Sequence, residues 1–299
     1  MCTAISFLDR GGFFGRTLDA AMDYGGGCVF VPRLSPLFFS DTKRSEEHYA
    51  ILGVGIIEDD IPLLFDGMNE WGLCGAGLNF PSLASYKAPC GEKKEIASYE
   101  LILKMLSLCK SISEVRGALS GAKITDTAVN ERLSPTPMHW IFADSSGAVT
   151  VEQTENRLSV YENADGVLTN SPEFPFHKRR SAELCALSPR NPEGEFLSLG
   201  YGALGLPGDF SSPSRFVRAS FMRRYAECRT HSDFIRAISA VSIPKGAVLD
   251  GDGRVHYTSY TSCYDVNCRA LYKLSYPSLS PEKKVLSEMQ TAKRKAQYV

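Results

Sequence analysis

The chain has 299 residues, of which 43% are apolar and 22% are charged, and its formal net charge is -1. Such a composition is ordinary for a water-soluble globular protein with a large core. No basic excess indicates nucleic acid as a partner, and no apolar run approaches the roughly 18 residues that a membrane helix needs.

The first half of the chain predicts strands joined by tight turns, followed by helices. Short apolar runs bounded by Gly, Asp and Asn are typical of strands, and they occur at residues 2–9, 12–19, 28–32, 49–57, 63–68 and 73–78. Apolar residues at helical spacing then predict a helix over 96–109. A capping box at 111–114 predicts a second helix that ends at Leu119.

The second half repeats this order. Strands are predicted at 139–143, 149–153, 158–161 and 167–170, helices at 216–228 and 231–241, and strands at 256–264 and 270–276. The basic stretch 283–295 has the pattern of a solvated terminal helix. Strands grouped apart from helices predict an α+β fold of two mainly antiparallel sheets stacked face to face, with helices outside. No linker divides residues 2–299, so we expect a single domain.

The nine cysteines and five histidines show no metal-ligand spacing, and no CxxC occurs. The number of cysteines is odd and their positions are scattered, so we expect reduced thiols and no metal site. No signal-peptide pattern is present, since Asp9 and Arg10 interrupt the first apolar segment. We therefore expect a cytoplasmic protein.

Cys2 is the first candidate for chemistry. If Met1 is removed, Cys2 carries both a thiol and a free α-amine. An N-terminal amine has a pKa near about 8, so it can accept a proton at neutral pH, and a terminal amine beside a side-chain nucleophile is a known catalytic arrangement. The alternative is a cysteine that merely follows the start codon.

Two residues of the second predicted strand are expected to reach Cys2. Arg16 and Asp19 lie on the strand that should pair with the one bearing Cys2. A carboxylate would orient the terminal ammonium, and a guanidinium would favour the thiolate. The alternative is a surface ion pair.

Three further polar residues follow strands or loops. Asn79 and Asn170 each end a strand shortly before a proline, where asparagine is either a turn former or an oxyanion donor. Arg215 follows a loop rich in Gly, Pro and Ser and precedes a helix, which this loop could simply cap.

Taken together, these segments resemble the choloylglycine hydrolase family, the bile salt hydrolases and penicillin V acylases among the N-terminal-nucleophile hydrolases. The matching stretches are Met-Cys-Thr at 1–3, Gly-Arg-Thr-Leu-Asp at 15–19, Asp-Gly-Met-Asn-Glu at 66–70, Ala-Gly-Leu-Asn-Phe-Pro at 76–81, Val-Glu-Gln-Thr at 151–154, Leu-Thr-Asn-Ser-Pro at 168–172, Gly-Leu-Pro-Gly-Asp at 205–209, Ser-Arg-Phe at 214–216 and Tyr-Thr-Ser-Tyr-Thr-Ser-Cys at 257–263. They occur in family order over nearly the whole chain.

The resemblance implies a four-layer αββα sandwich and a role for each candidate residue. Cys2 would be the nucleophile and its amine the base, while Arg16 and Asp19 would hold the N-terminus and tune the thiol. The oxyanion would be stabilised by Asn79 and Asn170. Arg215 would order the cluster. Amide hydrolysis through an acyl-thioester needs no metal or organic cofactor.

The implied substrate is a glycine- or taurine-conjugated bile salt, because the position of Asn79 tends to be asparagine in bile salt hydrolases and tyrosine in penicillin V acylases. Met22 and Phe65 are candidate lining residues for an apolar groove, or plain core residues. Two alternatives stay open. One is penicillin V or another N-acyl amide, such as an acyl-homoserine lactone, and the other is a non-catalytic binding protein of the same fold.

The segment 170–205 looks several residues shorter than in typical bile salt hydrolases, whose loop here takes part in tetramer assembly. The resemblance therefore implies a homotetramer, with a dimer as the alternative.

Overall fold

The computed structural model describes residues 1–40, 42–45, 47–91, 94–184, 186–190, 202–289 and 295–299. The strands are β1 (Cys2–Ser6), β2 (Phe13–Ala20), β3 (Gly27–Val31), β4 (Leu37–Phe39), β5 (Thr42–Ser45), β6 (Ile51–Glu58), β7 (Ile61–Asn69), β8 (Cys74–Asn79), β9 (Glu95–Ala97), β10 (Lys123–Thr125), β11 (Met138–Asp144), β12 (Gly147–Gln153), β13 (Leu158–Glu162), β14 (Val167–Leu168), β15 (Val248–Leu249), β16 (Val255–Asp265), β17 (Ala270–Ser275), β18 (Glu282–Val285) and β19 (Gln297–Tyr298). The helices are α1 (Leu101–Leu108), α2 (Ile112–Leu119), α3 (Phe174–Glu183), α4 (Ser212–Tyr225), α5 (His231–Ser239) and α6 (Leu286–Met289), and a 3₁₀ turn (Ser98–Glu100) precedes α1.

Two large antiparallel sheets form the centre of the described chain. Sheet A has the strand order β14-β1-β2-β16-β17-β18, and β15 pairs with β16 beside this path. Sheet B has the order β13-β12-β11-β8-β7-β6-β3-β19. The small pairs β4–β5, which is antiparallel, and β9–β10, which is parallel, lie outside both sheets.

The buried apolar residues define four layers. One cluster combines residues of both sheets with Phe216 of α4 and Phe234 of α5, so it fills the space between the sheets and under these helices. A second cluster joins the other face of sheet B to α1 and α2, through residues such as Phe142 and Leu106. The order of layers is therefore α1/α2, sheet B, sheet A and α4/α5, which confirms the predicted αββα sandwich.

Several predicted elements differ in their bounds. Residues 95–97 form strand β9 and Ser98–Glu100 a 3₁₀ turn, so the first helix begins at Leu101 and not at 96. Helix α4 begins at Ser212 because Ser211 caps it by accepting from the Ser214 N–H. Helix α3 was not predicted, although it buries one face.

The predicted terminal helix over 283–295 is wrong at its start. Residues Glu282–Val285 form β18, which continues the edge of sheet A beside β17. Helix α6 follows, and residues 290–294 lie outside the described part of the chain. Edge pairing with β17 therefore overrides the helical pattern of this segment.

Two β-bulges interrupt the regular pairing close to one end of the sheets. In β7, Asp66 is opposite Val54 whereas Leu64 is opposite Gly55, so Phe65 is an extra residue. In β16, Thr258 is opposite Asp19 and Tyr260 is opposite Leu18, so Ser259 is extra. A bulge redirects neighbouring side chains and is frequent beside active sites.

Within the described ranges, we find no helix that combines the length and apolar character required to cross a bilayer. The cysteines of the described ranges are free thiols, and Cys185 lies outside these ranges.

Candidate active site

Cys2 begins β1, a strand with neighbours on both sides. Cys2 is opposite Leu18 of β2, and Ala4 is opposite Arg16. Since alternate residues of a strand share a face, Cys2 and Arg16 lie on the face of sheet A that packs on sheet B. Thr3 and Asp19 lie on the other face, toward α4. The predicted site residues therefore approach Cys2 from two layers.

Arg16 reaches the thiol from between the sheets. Its Nη2 donates to Cys2 Sγ at 2.5 Å, and its Nη1 donates to the carbonyl oxygen of Gly77 at 2.7 Å and of Phe65 at 3.3 Å. The Arg16 side chain is almost completely buried. Burial alone lowers its pKa, but Cys2, with Tyr260, Asp66 and Asp19 behind it, outweighs burial and raises the pKa. A permanently cationic group therefore adjoins the sulfur.

Arg215 reaches the main chain of Cys2 from the opposite face. Because Arg215 lies in the first turn of α4, its Nη1 donates to the carbonyl oxygen of Cys2 and, at 2.6 Å, to Thr3 Oγ1. Its Nη2 donates to Asn170 Oδ1 at 2.8 Å, and its Nε donates to the Phe210 carbonyl oxygen at 3.0 Å. The guanidinium thus fixes the first turn of α4 and the start of β1 together.

Asn170 holds the main-chain nitrogen of Cys2. It follows β14, which pairs with β1, and it is buried. Its Oδ1 accepts from the Cys2 N–H at 2.7 Å, and its Nδ2 donates to the carbonyl oxygen of Asn79 at 2.7 Å. An asparagine amide has two N–H donors, so one of them is left for another acceptor.

Asp19 contacts the N-terminus through its main chain. Its carbonyl oxygen accepts from the Met1 amine, and its N–H donates to the Met1 carbonyl oxygen at 2.8 Å. Its carboxylate accepts from Thr258 Oγ1 at 2.5 Å and from Thr17 Oγ1 at 3.2 Å, and lies 3.9 Å from Arg215 Nη1. Met1 is present in the structure, so the nitrogen of Cys2 is an amide here.

The remaining predicted residues surround this cluster. The Asn79 side chain is exposed at the end of β8 and takes no part in the hydrogen bonds of the described residues. Met22 is 61% exposed, so the alternative that it is a core residue is wrong. Phe65 is half-buried on the bulge of β7, with its ring centroid 6.4 Å from that of Tyr24.

Sequence reasoning missed several residues that support the site. His177 of α3 lies with its Nε2 2.8 Å from the Asn170 carbonyl oxygen, and Ser212 Oγ accepts from the Asn170 N–H at 2.9 Å. Burial lowers the pKa of His177 to about 4, so the ring is neutral at pH 7 and its Nε2–H donates. Asp66 and Thr258 were also missed, although both lie inside the quoted family stretches.

The described residues contain no candidate metal site. Across the ranges that the structure describes, no three His, Cys, Asp or Glu side chains gather where they could share an ion. The chemistry that the described cluster offers is that of a thiol beside a guanidinium, with a main-chain nitrogen and amide donors around it.

The αββα sandwich, with a cysteine at the head of a central strand, is the fold of the N-terminal-nucleophile hydrolases. A variant of the conjugated bile acid hydrolase from Clostridium perfringens superposes on this chain with a TM-score of 0.90 and 31% identity, covering 100% of this chain and 96% of that one. A penicillin V acylase from Agrobacterium tumefaciens has a TM-score of 0.78 at 19% identity, over 97% of this chain and 87% of that one, which shows the fold alone.

The sequence comparisons identify the family. The profile of the linear amide C–N hydrolases, choloylglycine hydrolase family, matches residues 2–283. A bile salt hydrolase/transferase from Lactiplantibacillus plantarum is 36% identical, over 92% of this chain and 89% of its own length. A conjugated bile acid hydrolase from Lactobacillus acidophilus is 34% identical, over 91% and 92%. The chain therefore belongs to the choloylglycine hydrolase family and is a hydrolase of linear amides.

Proposed function

We propose that this chain hydrolyses the amide bond of glycine- or taurine-conjugated bile salts, with the Cys2 thiol as the nucleophile once Met1 has been removed. The observation that carries the proposal is the pair of contacts at Cys2: Arg16 Nη2 lies 2.5 Å from its sulfur, and Asn170 Oδ1 lies 2.7 Å from its nitrogen. The substrate class is supported by the relatives named as bile salt or conjugated bile acid hydrolases.

The first half of the proposed reaction forms an acyl-thioester. The Cys2 thiolate attacks the amide carbonyl carbon, and the carbonyl oxygen becomes an oxyanion that accepts from Asn170 Nδ2 and from the Asn79 side chain. The α-amine of Cys2, which carries the proton taken from the thiol, protonates the leaving nitrogen as the C–N bond breaks. Taurine or glycine leaves, and the bile acyl group stays on sulfur.

The second half releases the acid. Water attacks the thioester carbonyl, the α-amine accepts its proton, and the C–S bond breaks to regenerate the nucleophile. Arg16 stabilises the thiolate throughout, while Asp19 and Arg215 hold the strand end in place. Met22 and Phe65 are proposed to contact the steroid, because an apolar ligand needs an apolar wall.

A substrate panel tests the proposal. Protein whose intact mass lacks one methionine is assayed on taurocholate, glycocholate, penicillin V and an acyl-homoserine lactone, with amine release or ring product as the signal. We expect kcat/KM on the two bile salts to exceed that on the other amides at least tenfold. A preference for penicillin V or the lactone would move the proposal to that substrate, and no turnover of any amide would favour the binding-protein alternative.

Cys2→Ala provides the test of the nucleophile. This variant is expected to lose turnover while its circular dichroism and unfolding midpoint stay unchanged. The matched control is Cys268→Ala, which removes an exposed thiol from the turn between β16 and β17 and is expected to keep full activity. Substantial hydrolysis by Cys2→Ala would exclude the mechanism.

A cytoplasmic location and a homotetramer, or a dimer, stay predictions from the sequence. Of the segment on which the assembly argument rests, residue 185 and residues 191–201 lie outside the described chain. Light scattering on the purified protein is the measurement that decides the subunit number.

A further inference from the structure

Asp66 is a buried carboxylate that the proposed reaction does not use. It lies on β7 of sheet B and is completely buried between the sheets. The hydroxyl of Tyr264 donates to its Oδ1 at 2.5 Å, and the hydroxyl of Tyr260 donates to its Oδ2. Both tyrosines belong to β16 of sheet A, so this carboxylate links the two sheets.

The bulge of β7 directs Asp66 toward the site. Leu64 packs in the cluster under α1 and α2, whereas Phe65 packs in the cluster between the sheets. Asp66 faces the same side as Phe65, because its partners lie in sheet A. Two consecutive residues of β7 therefore face Arg16: Phe65 through its carbonyl oxygen, and Asp66 through its carboxylate.

The Arg16 guanidinium lies between the Asp66 carboxylate and the Cys2 thiol, and the three groups form a row. Arg16 Nε lies 4.0 Å from Asp66 Oδ2, and Arg16 Nη2 lies 2.5 Å from Cys2 Sγ. The guanidinium is held by the carbonyl oxygens of Thr17, Phe65 and Gly77, so its position does not depend on Asp66. What Asp66 adds is a carboxylate behind the guanidinium.

The protonation states around Asp66 follow from its partners. Burial raises the pKa of Asp66 above its ordinary value, and Arg16 and the two tyrosine hydroxyls offset only part of this rise. Both carboxylate oxygens accept from hydroxyl groups, which matches the ionised form. Burial and the adjacent carboxylate raise the pKa of Tyr260 and of Tyr264, so both stay protonated and keep donating.

Other charged groups lie on the same face of sheet A as Arg16. Lys273 on β17 and Glu282 on β18 are partners across these strands, and Lys273 Nζ lies 5.6 Å from the ring centroid of Tyr260. Asp19 on β2 and Arg215 on α4 approach Cys2 from the far side of sheet A. Cys74 on β8 is completely buried, and its thiol stays neutral because burial raises its pKa well above the ordinary value. On this side of sheet A, Asp66 is the carboxylate that lies 4.0 Å from the Arg16 guanidinium.

We propose that Asp66 acts through Arg16 and limits the acidity of the Cys2 thiol by offsetting part of the positive charge of that guanidinium. The inference rests on the proposed function in one respect, namely that Cys2 is the nucleophile. A thiolate loses intrinsic nucleophilicity as its conjugate acid becomes stronger. An Arg16 without a counter-charge would therefore give a thiolate that forms at lower pH but attacks more slowly.

Alkylation of Cys2 measures both consequences. Mature protein, verified by intact mass, is treated with iodoacetamide over a range of pH, and the modified N-terminal tryptic peptide, residues 2–10, is quantified by mass spectrometry. Asp66→Asn preserves the shape of the side chain, and its amide can still exchange hydrogen bonds with both hydroxyls. We expect the midpoint of alkylation to fall by about one pH unit and the limiting rate at high pH to fall roughly threefold.

The matched comparison is Arg16→Gln, for which the midpoint must move to higher pH. Asp66→Ser is the second neutral variant, so the test holds if only one of the two folds. A midpoint that is unchanged, or that rises, in the folded neutral variants would overturn the proposal. Iodoacetamide reacts with the thiol whatever amide the enzyme cleaves. Failure of the bile salt assignment would appear in the substrate panel and would leave the alkylation result unaffected.

Discussion

The main-chain nitrogen of Cys2 lies 2.7 Å from the side-chain oxygen of Asn170, although 168 positions separate them in the sequence. The contact forms because β14 pairs with β1 and ends two residues before Asn170. The same oxygen accepts from Arg215, so the orientation of the asparagine amide is fixed from two sides. If Cys2 is the first residue of the mature chain, this oxygen holds the base.

Replacement of Asn170 by alanine is expected to lower kcat on taurocholate roughly 10²–10³-fold. The substitution removes the acceptor of the Cys2 nitrogen and an N–H donor for the oxyanion, whereas the bile salt contacts stay. We therefore expect KM to change little. Steady-state kinetics measure both constants, and circular dichroism verifies the fold.

The control for this variant is Asn267→Ala, which truncates an exposed asparagine in the turn after β16. It is expected to retain wild-type kcat within twofold. A kcat of Asn170→Ala within tenfold of the wild-type value would contradict the proposed role.

Acid should destabilise the fold through His177. Burial lowers its pKa from 6.5 to about 4, so the unfolded state takes up a proton before the native state does as the pH falls. The stability that depends on the neutral ring is complete above pH 6.5 and is lost between pH 6.5 and pH 4. Its full size is up to roughly 3 kcal/mol.

Urea unfolding of the wild type and of His177→Gln at a series of pH values measures this contribution. Glutamine can still donate to the Asn170 carbonyl oxygen but does not titrate. The difference in unfolding free energy between the two proteins should therefore shrink from pH 7 to pH 4. A difference that is independent of pH would show that His177 does not titrate as described.

Alanine at Gly15 is expected to disrupt the pairing of β2 with β16. A Cβ on Gly15 would lie 1.9 Å from the carbonyl oxygen of Ser262, a backbone atom that cannot move without the strand. We expect the free energy of unfolding to fall by at least roughly 1–3 kcal/mol, the usual cost of overpacking a core, or the chain not to fold.

Gly117→Ala is the matched control for the same chemical change. Gly117 lies inside α2, and a Cβ there meets no atom within 4 Å. Alanine should stabilise the protein by about 0.5–1 kcal/mol. The two variants are thus expected to shift the thermal unfolding midpoint in opposite directions, and equal shifts would contradict the geometry.

Truncation of Met22 tests the proposed steroid contact. Met22 is 61% exposed, so Met22→Ala should not change the stability of the free protein. Loss of part of an apolar contact worth about 1.5–3 kcal/mol should raise KM for taurocholate roughly three- to tenfold with kcat unchanged. Trp71→Ala is the control, because this exposed residue lies in the turn at the opposite end of β8 from Asn79. An equal rise in KM for Trp71→Ala would contradict a specific contact between Met22 and the steroid.

The strands and their layering were predictable because buried strands are written in the sequence as short apolar runs. Residues 49–57 form a nearly continuous apolar run, and β6 is buried along most of its length between other strands of sheet B. The helix boundaries were harder to predict: Ser98–Glu100 directly precedes α1 but forms a 3₁₀ turn after β9. Helix α3 has a signal that was overlooked, since Phe174, His177 and Ser181 are buried at helical spacing.

The sequence predicted which residues belong to the candidate site, and the structure brings Cys2, Arg16, Asn170 and Arg215 into direct contact. It did not predict Asp66 as part of the cluster. This β-bulge leaves no periodic pattern in the sequence, because the extra residue, Phe65, is apolar like Leu64 before it. In a regular strand, Phe65 and Asp66 would point to opposite faces, so the sequence alone does not predict that they face the same side.

Phe65 thus has no partner of its own in the opposite strand. The site therefore depends on the number of residues in β7 as well as on their types. Deletion of Phe65 would leave Leu64 and Asp66 as ordinary alternating neighbours, each facing the layer that it faces now. Sheet B would keep its hydrogen-bond ladder, while Arg16 would lose one of the carbonyl oxygens that orient it. A shortening by one amino acid would therefore loosen the guanidinium beside Cys2 and leave the strand pairing of sheet B intact.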